Sequence, residues 1–149
     1  MSPELSPSYQ PCPVARSVDI IGDRWALLIV RDAFDGVRRF GDFQRGLGMA
    51  RNILTDRLRK LVDAGIFITQ PASDGTAYQE YVLTPKGQSL FPVIVALRQW
   101  GEGNLFAPGE PHSLLVDVQT GEAIAPMRPL TDDGRELMAE NTRVQKLEI

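Results

Sequence analysis

The sequence contains one cysteine, Cys12, and one histidine, His112. A single thiol excludes an intrachain disulfide, and one thiol with one imidazole gives no basis for a zinc site. There is no support for a Ser-His-Asp or Cys-His catalytic arrangement, and no phosphate-cradling glycine loop, since Gly46, Leu47 and Gly48 read as a turn. Long apolar runs are missing too: no uncharged stretch exceeds eleven residues, as over 87–97, too short to span a bilayer. The opening Met1, Ser2, Pro3 and Glu4 are polar and the first positive side chain is Arg16, so no secretory signal is expected and the chain reads as cytoplasmic. Glycine (13) and proline (11) stay below the share that marks a disordered chain. These absences exclude a cofactor or metal motif and leave no converging nucleophile and base, so an enzyme is not expected.

What is present is an ordinary globular composition, 43% hydrophobic and 23% charged over 149 residues. That length suits one domain with a small appendage, able to bury roughly 70% of its unfolded surface. The net charge of −3 conceals an uneven distribution. Residues 38–60 carry Arg38, Arg39, Arg45, Arg51, Arg57, Arg59 and Lys60 against Asp42 and Asp56, whereas residues 108–149 carry eight acidic and four basic groups. A basic block in an acidic chain points to one anion-facing surface, or else to a solvated helix face.

Apolar spacing predicts the elements. Residues 1–13 hold four prolines and read as an irregular arm. A short helix over 14–21 carries Val14, Ala15, Val18 and Ile21 and stops at Gly22. Asp23 suits the N-cap of a second helix over 24–34, whose wide apolar stripe includes Trp25, Leu28 and Ile29. A third, short helix fits 42–45, anchored by Phe40 and Phe43. After the glycine turn, a fourth helix over 50–63 places Leu54, Leu58, Leu61 and Val62 on one side. Strands are expected over 66–69 and 78–83, joined by a turn over 71–77. Thr84 and Pro85 then start a helix expected to run to about Gly101, with more apolar surface than one neighbour would cover. Residues 102–112 read as a linker. Beyond it, a two- or three-stranded meander is expected over 113–139, with turns at 119–122 and 132–134.

This order is that of a winged helix-turn-helix: α+β and mainly helical, with a small C-terminal β appendage. Residues 1–107 form the expected DNA-binding domain and 108–149 the acidic appendage. If Leu54, Leu58 and Leu61 face the core, the opposite side of the fourth helix presents Arg51, Asn52, Thr55, Asp56 and Arg59. Arginine can bridge guanine O6 and N7, and asparagine adenine N6 and N7, in the major groove, which such a helix enters by its N-terminal part. Arg38, Arg39, Arg45 and Lys60 would flank it as phosphate contacts, which position without reading sequence.

Several segments together resemble the HxlR family of bacterial transcription regulators: Cys12-Pro13-Val14, Ile21-Gly22-Asp23-Arg24-Trp25, Leu28-Ile29-Val30-Arg31-Asp32, Arg38-Arg39-Phe40, Leu54-Thr55-Asp56-Arg57-Leu58, Ala64-Gly65-Ile66, Tyr81-Val82-Leu83-Thr84-Pro85-Lys86-Gly87 and Trp100. The resemblance covers about residues 11–104. It implies a MarR-like homodimer that binds a pseudo-palindromic double-stranded operator. It also implies dimerisation through the N-terminal helix and the long helix after the wing, here Val14 and Val18 with Phe91, Ile94, Leu97 and Trp100. The chain departs from the family at Gly41 and Ala50, where serine often starts the two reading-head helices, and in a wing tip (Ala72, Ser73, Asp74, Gly75, Thr76) without a basic residue.

Two expectations stay open. Cys12 precedes a helix start, which favours a thiolate, and several regulators of the resembled family use a cysteine at the matching position as a redox or electrophile sensor; the alternative is a small buried hydrophobe. The net charge of −3 and a wing tip without a basic residue leave a second function, a protein-docking module that binds no DNA. No polar constellation identifies a small-molecule effector.

Overall fold

In the computed structural model, which describes residues 11–147, the chain opens with α1 (Pro13–Ile21). Pro13 stands at the first helical position, where its missing N–H costs nothing, and the Cys12 sulfur accepts from the Ala15 N–H at 3.4 Å. Pro13, expected to close the irregular arm over 1–13, instead belongs to α1, and the first ten residues of that arm lie outside the described ones. α2 (Arg24–Phe34) begins as expected at Asp23, whose carboxylate accepts from the Ala26 N–H at 2.9 Å.

α3 runs Phe40–Leu47, longer than the expected 42–45. Gly46 and Leu47 belong to the helix rather than to the turn, and Arg39, not Gly41, occupies the cap position without a side-chain cap bond. Two glycines lower the helix propensity of this segment, but burial of Phe43 overrides propensity. The stop comes at Gly48, whose φ of 64° is left-handed, a conformation that glycine adopts without penalty. α4 (Arg51–Asp63) follows, then an antiparallel pair, β1 (Phe67–Pro71) and β2 (Gln79–Leu83), in register from Phe67 opposite Leu83 to Pro71 opposite Gln79. Pro71 closes β1 instead of starting the turn, a position at a strand end where its lost donor is tolerated.

The core of this unit is made by Ile29 and Val30 of α2, Phe43 of α3, Leu54, Leu58 and Leu61 of α4, and Phe67 of β1, all essentially inaccessible to solvent. α2 packs against α1, α3 and α4, and α4 against β1. Thr84 ties the wing to the next helix, α5 (Pro85–Gln88): its hydroxyl donates to the Gly65 carbonyl and accepts from the Gly87 N–H at 3.0 Å. A Cβ on Gly87 would stand 2.2 Å from the Ile66 carbonyl oxygen, so only glycine lets the backbones approach this closely.

The single helix expected from 84 to 101 is two. The chain breaks at Ser89 and Leu90, and α6 runs Phe91–Asn104. Pro92 is the cause: its ring would collide with the carbonyl of residue 88 in a continuous helix, whereas the first turn of a new helix accepts it. The described chain divides into two compact units at Pro92 and Val93. In the second unit, Val95 of α6 is buried, Arg98 donates to the Ser113 carbonyl at 2.9 Å, and the Gln99 amide exchanges bonds with Ala125 (3.0 Å) and Met127 (2.8 Å). The expected meander is reduced to two isolated antiparallel bridges, Val116 to Ala123 and Leu130 to Glu136. Pro126 and Pro129 remove ladder donors between them, which keeps either pairing from extending into strands.

Candidate nucleic-acid interface

The i, i+4, i+7 spacing of Leu54, Leu58 and Leu61 turns that side of α4 into the core and fixes which side faces out. Arg51, Asn52, Thr55 and Arg59 are exposed on the outward side, as the spacing predicted. The Thr55 hydroxyl donates to the Arg51 carbonyl at 2.8 Å, which steadies the first turn. Ala50 at the cap position provides no side-chain acceptor, so no side chain covers the leading amides of α4 there. The Arg51 guanidinium lies 5.2 Å from the Phe40 ring.

Asp56 has a different environment from its neighbours. It is half-buried, and its carboxylate meets three cations of its own helix: Arg57 at 2.6 Å, Arg59 at 2.8 Å and Lys60 at 3.3 Å. The Lys60 hydrogen bond, followed by the charges of Lys60, Arg59 and Arg57, holds its carboxyl below the ordinary range. A carboxylate so engaged organises the cations around it.

The four side chains expected at phosphates are likewise each matched to an acid. Arg38 is 3.8 Å from Glu80, a buried acid of β2. Arg39 pairs with Asp74 at the wing tip, and its guanidinium also lies 5.2 Å from the exposed ring of Tyr78. Arg45 pairs with Asp42 and Lys60 with Asp56. No carboxylate stands within ion-pair distance of Arg51 among the described residues. Arg39, Phe40, Gln44, Arg45, Arg51 and Tyr78 line an open cleft of about 490 Å³ where the starts of α3 and α4 face the wing. Sequence reasoning missed Phe40 and Tyr78 as ring platforms for arginines and Asp74 and Glu80 as their counter-ions. The available signal was an acidic wing beside a basic block.

Cys12 is half-buried at the start of α1. On the same helix Val14 is 72% and Val18 54% exposed. On α6, Phe91, Leu97 and Trp100 are exposed, Trp100 by 61%, and Ile94 is half-buried. Among the described residues no group of three or more His, Cys, Asp or Glu side chains is placed to hold a metal ion, and no helix is long and apolar enough to cross a membrane.

Comparisons with known proteins agree with this geometry. A family model described as HxlR-like helix-turn-helix matches residues 20–107. An HTH-type transcriptional regulator of Mycobacterium tuberculosis (strain H37Rv) is 42% identical over 138 residues, covering 93% of this chain and 87% of that protein. Among solved structures, the candidate transcription factor PA1607 superposes with a TM-score of 0.87 at 52% identity, over 91% of this chain and 95% of that one. The redox regulator HypR in its reduced form gives a TM-score of 0.57 at 32% identity, over 63% of this chain and 94% of its own.

Proposed function

The chain belongs to the HxlR-like helix-turn-helix family, and from that premise we propose that it binds double-stranded operator DNA as a homodimer, each subunit placing α4 in a major groove. Membership makes it a transcriptional regulator and not an enzyme. The observation that carries the proposal is the outward side of α4: a leucine row buried on one side leaves Arg51, Asn52, Thr55 and Arg59 exposed on the other. Those side chains have the donors and acceptors that base edges require. Arg38, Arg39, Arg45 and Lys60 surround them as phosphate contacts, and Asp56 sets the positions of Arg59 and Lys60. The apolar side chains exposed on α1 and on α6 support a second copy of the chain as the dimer partner. In this reading residues 1–107 bind DNA and dimerise, and 108–149 are an acidic appendage.

Selection of bound duplexes from random DNA, followed by affinity measurements across salt concentrations, tests the proposal. A steep loss of affinity with salt is expected; a chain with no duplex affinity is instead a docking module. Within this test, Arg38→Ala is expected to weaken binding to all sequences alike and to flatten the slope of log affinity against log salt by about one unit. Lower affinity with an unaltered slope would remove Arg38 from the phosphate contacts.

We also assign Cys12 a redox-sensing role, supported by its position as the α1 cap and by the likeness to a redox regulator. The expected result is that iodoacetamide labels Cys12 in the native protein faster than a small-molecule thiol control of the same pH. Labelling no faster than the control would end the assignment.

A further inference from the structure

Arg39 stands between two kinds of anion. In this structure its guanidinium reaches across the cleft to the wing tip and pairs with Asp74. Tyr78, about two-thirds exposed at the foot of the same loop, has its ring centroid 5.2 Å from the guanidinium carbon. Asp74 is itself held in place, since one carboxylate oxygen accepts from the Thr76 N–H at 3.0 Å. Its carboxyl is lowered to about 2, first by the Thr76 amide, then by the Thr76 hydroxyl and by Arg39. The wing tip carries no cation, and Asp74 is its one charged side chain.

Arg39 meets Asp74 through one nitrogen, Nη2, and an oxygen of a phosphate ester competes with the carboxylate oxygen for that same donor. Arg39 lines the cleft together with Arg45 and Arg51, on the surface assigned above to DNA. We propose that Asp74 is an internal stand-in for a DNA phosphate, a latch that ties the wing tip to Arg39 in the unbound protein and is displaced when a duplex binds. The inference rests on the DNA-binding reading of this surface. Displacement leaves an uncompensated carboxylate beside the polyanion, which takes up a cation and offsets part of the counterion release that drives binding. Asp74 therefore sets both the affinity and its salt dependence, without touching a base.

The test is a double-mutant cycle on the full chain with one selected duplex, comparing wild type, Asp74→Asn, Arg39→Gln and the double variant at several salt concentrations. Asp74→Asn is expected to bind about two- to fivefold more tightly, the equivalent of one surface ion pair. Its salt slope is expected to be steeper by about one unit. In the Arg39→Gln background the same substitution should change affinity by less than about 1.5-fold, because the competition is gone. An equal gain in both backgrounds would show a general field effect of the lost charge and overturn the latch, as would no gain at all. Absence of duplex binding by all four proteins would overturn the DNA reading itself, a distinct outcome. Thermal unfolding midpoints within a few degrees of wild type establish that the exposed substitutions leave the fold intact.

Discussion

Phe43→Ala is expected to lower the stability of the chain by about 3–5 kcal/mol, the range for deleting a buried aromatic side chain. The ring is fully inaccessible, and its edge meets Phe67 of β1 at 6.3 Å between centroids, at an interplanar angle of 74°. Phe67 meets Tyr81 of β2 in the same manner at 6.4 Å. This aromatic row joins α3, the element that precedes the reading helix, to both strands of the wing. α3 has little stability of its own: it spans 8 residues, includes Gly41 and Gly46, and has no side-chain N-cap. A helix that short depends on its packed side chains, so truncating Phe43 removes both the buried area and the element's only fully buried anchor. A loss of this size is a large share of the total stability of a small domain. Urea unfolding checks it: the midpoint should fall with an unchanged m-value. Phe43→Leu should cost markedly less, because most of the volume is kept. A loss below about 1 kcal/mol for the alanine variant would mean that α3 is held by other contacts.

Arg51→Ala is expected to cost about 1–3 kcal/mol in operator affinity and to relax base preference at one position in each half-site. Arg51 opens α4, the end that such a helix inserts into the groove. It differs from the surrounding cations: Arg39, Arg45, Arg59 and Lys60 are all matched by carboxylates of the same unit, whereas Arg51 rests on the Phe40 ring. A ring platform orients the guanidinium while leaving its donor fork unspent, which suits bidentate contact to guanine O6 and N7. Arg51→Lys retains the charge but not the fork, and should lose most of the same discrimination. Duplex selection repeated with each variant checks this. An unchanged preference at every position would assign base reading to other residues.

Much of this was legible from local chemistry. The leucine row of α4, the Asp23 cap and the Thr84-Pro85 helix start each depend on residues close in sequence, and each is found where the pattern places it; the hairpin expected over 66–83 is present too, with its first strand running on to Pro71. The outward side of α4 followed by subtraction from its buried side. The misplaced boundaries have specific causes. Apolar periodicity runs unbroken from Leu90 to Trp100 and conceals the break that Pro92 imposes at Ser89 and Leu90. Glycines at 41 and 46 disguised the full length of a helix that tertiary burial of Phe43 sustains. The alternation at 114–118 resembles strand, but the prolines downstream limit pairing to single bridges. The counter-ions were the least legible feature. Asp74 lies 35 residues from Arg39 in sequence and Glu80 42 from Arg38, so only folding brings each acid to its base.

Methylation protection at guanine N7 on a selected duplex is the most direct measurement, because that atom is exposed only in the major groove. The account predicts two protected clusters with centres about 34–36 Å apart, one helical turn, on the face of the duplex that a two-fold pair of α4 helices would reach. A single cluster, or a bound complex in which every N7 remains reactive, would contradict it.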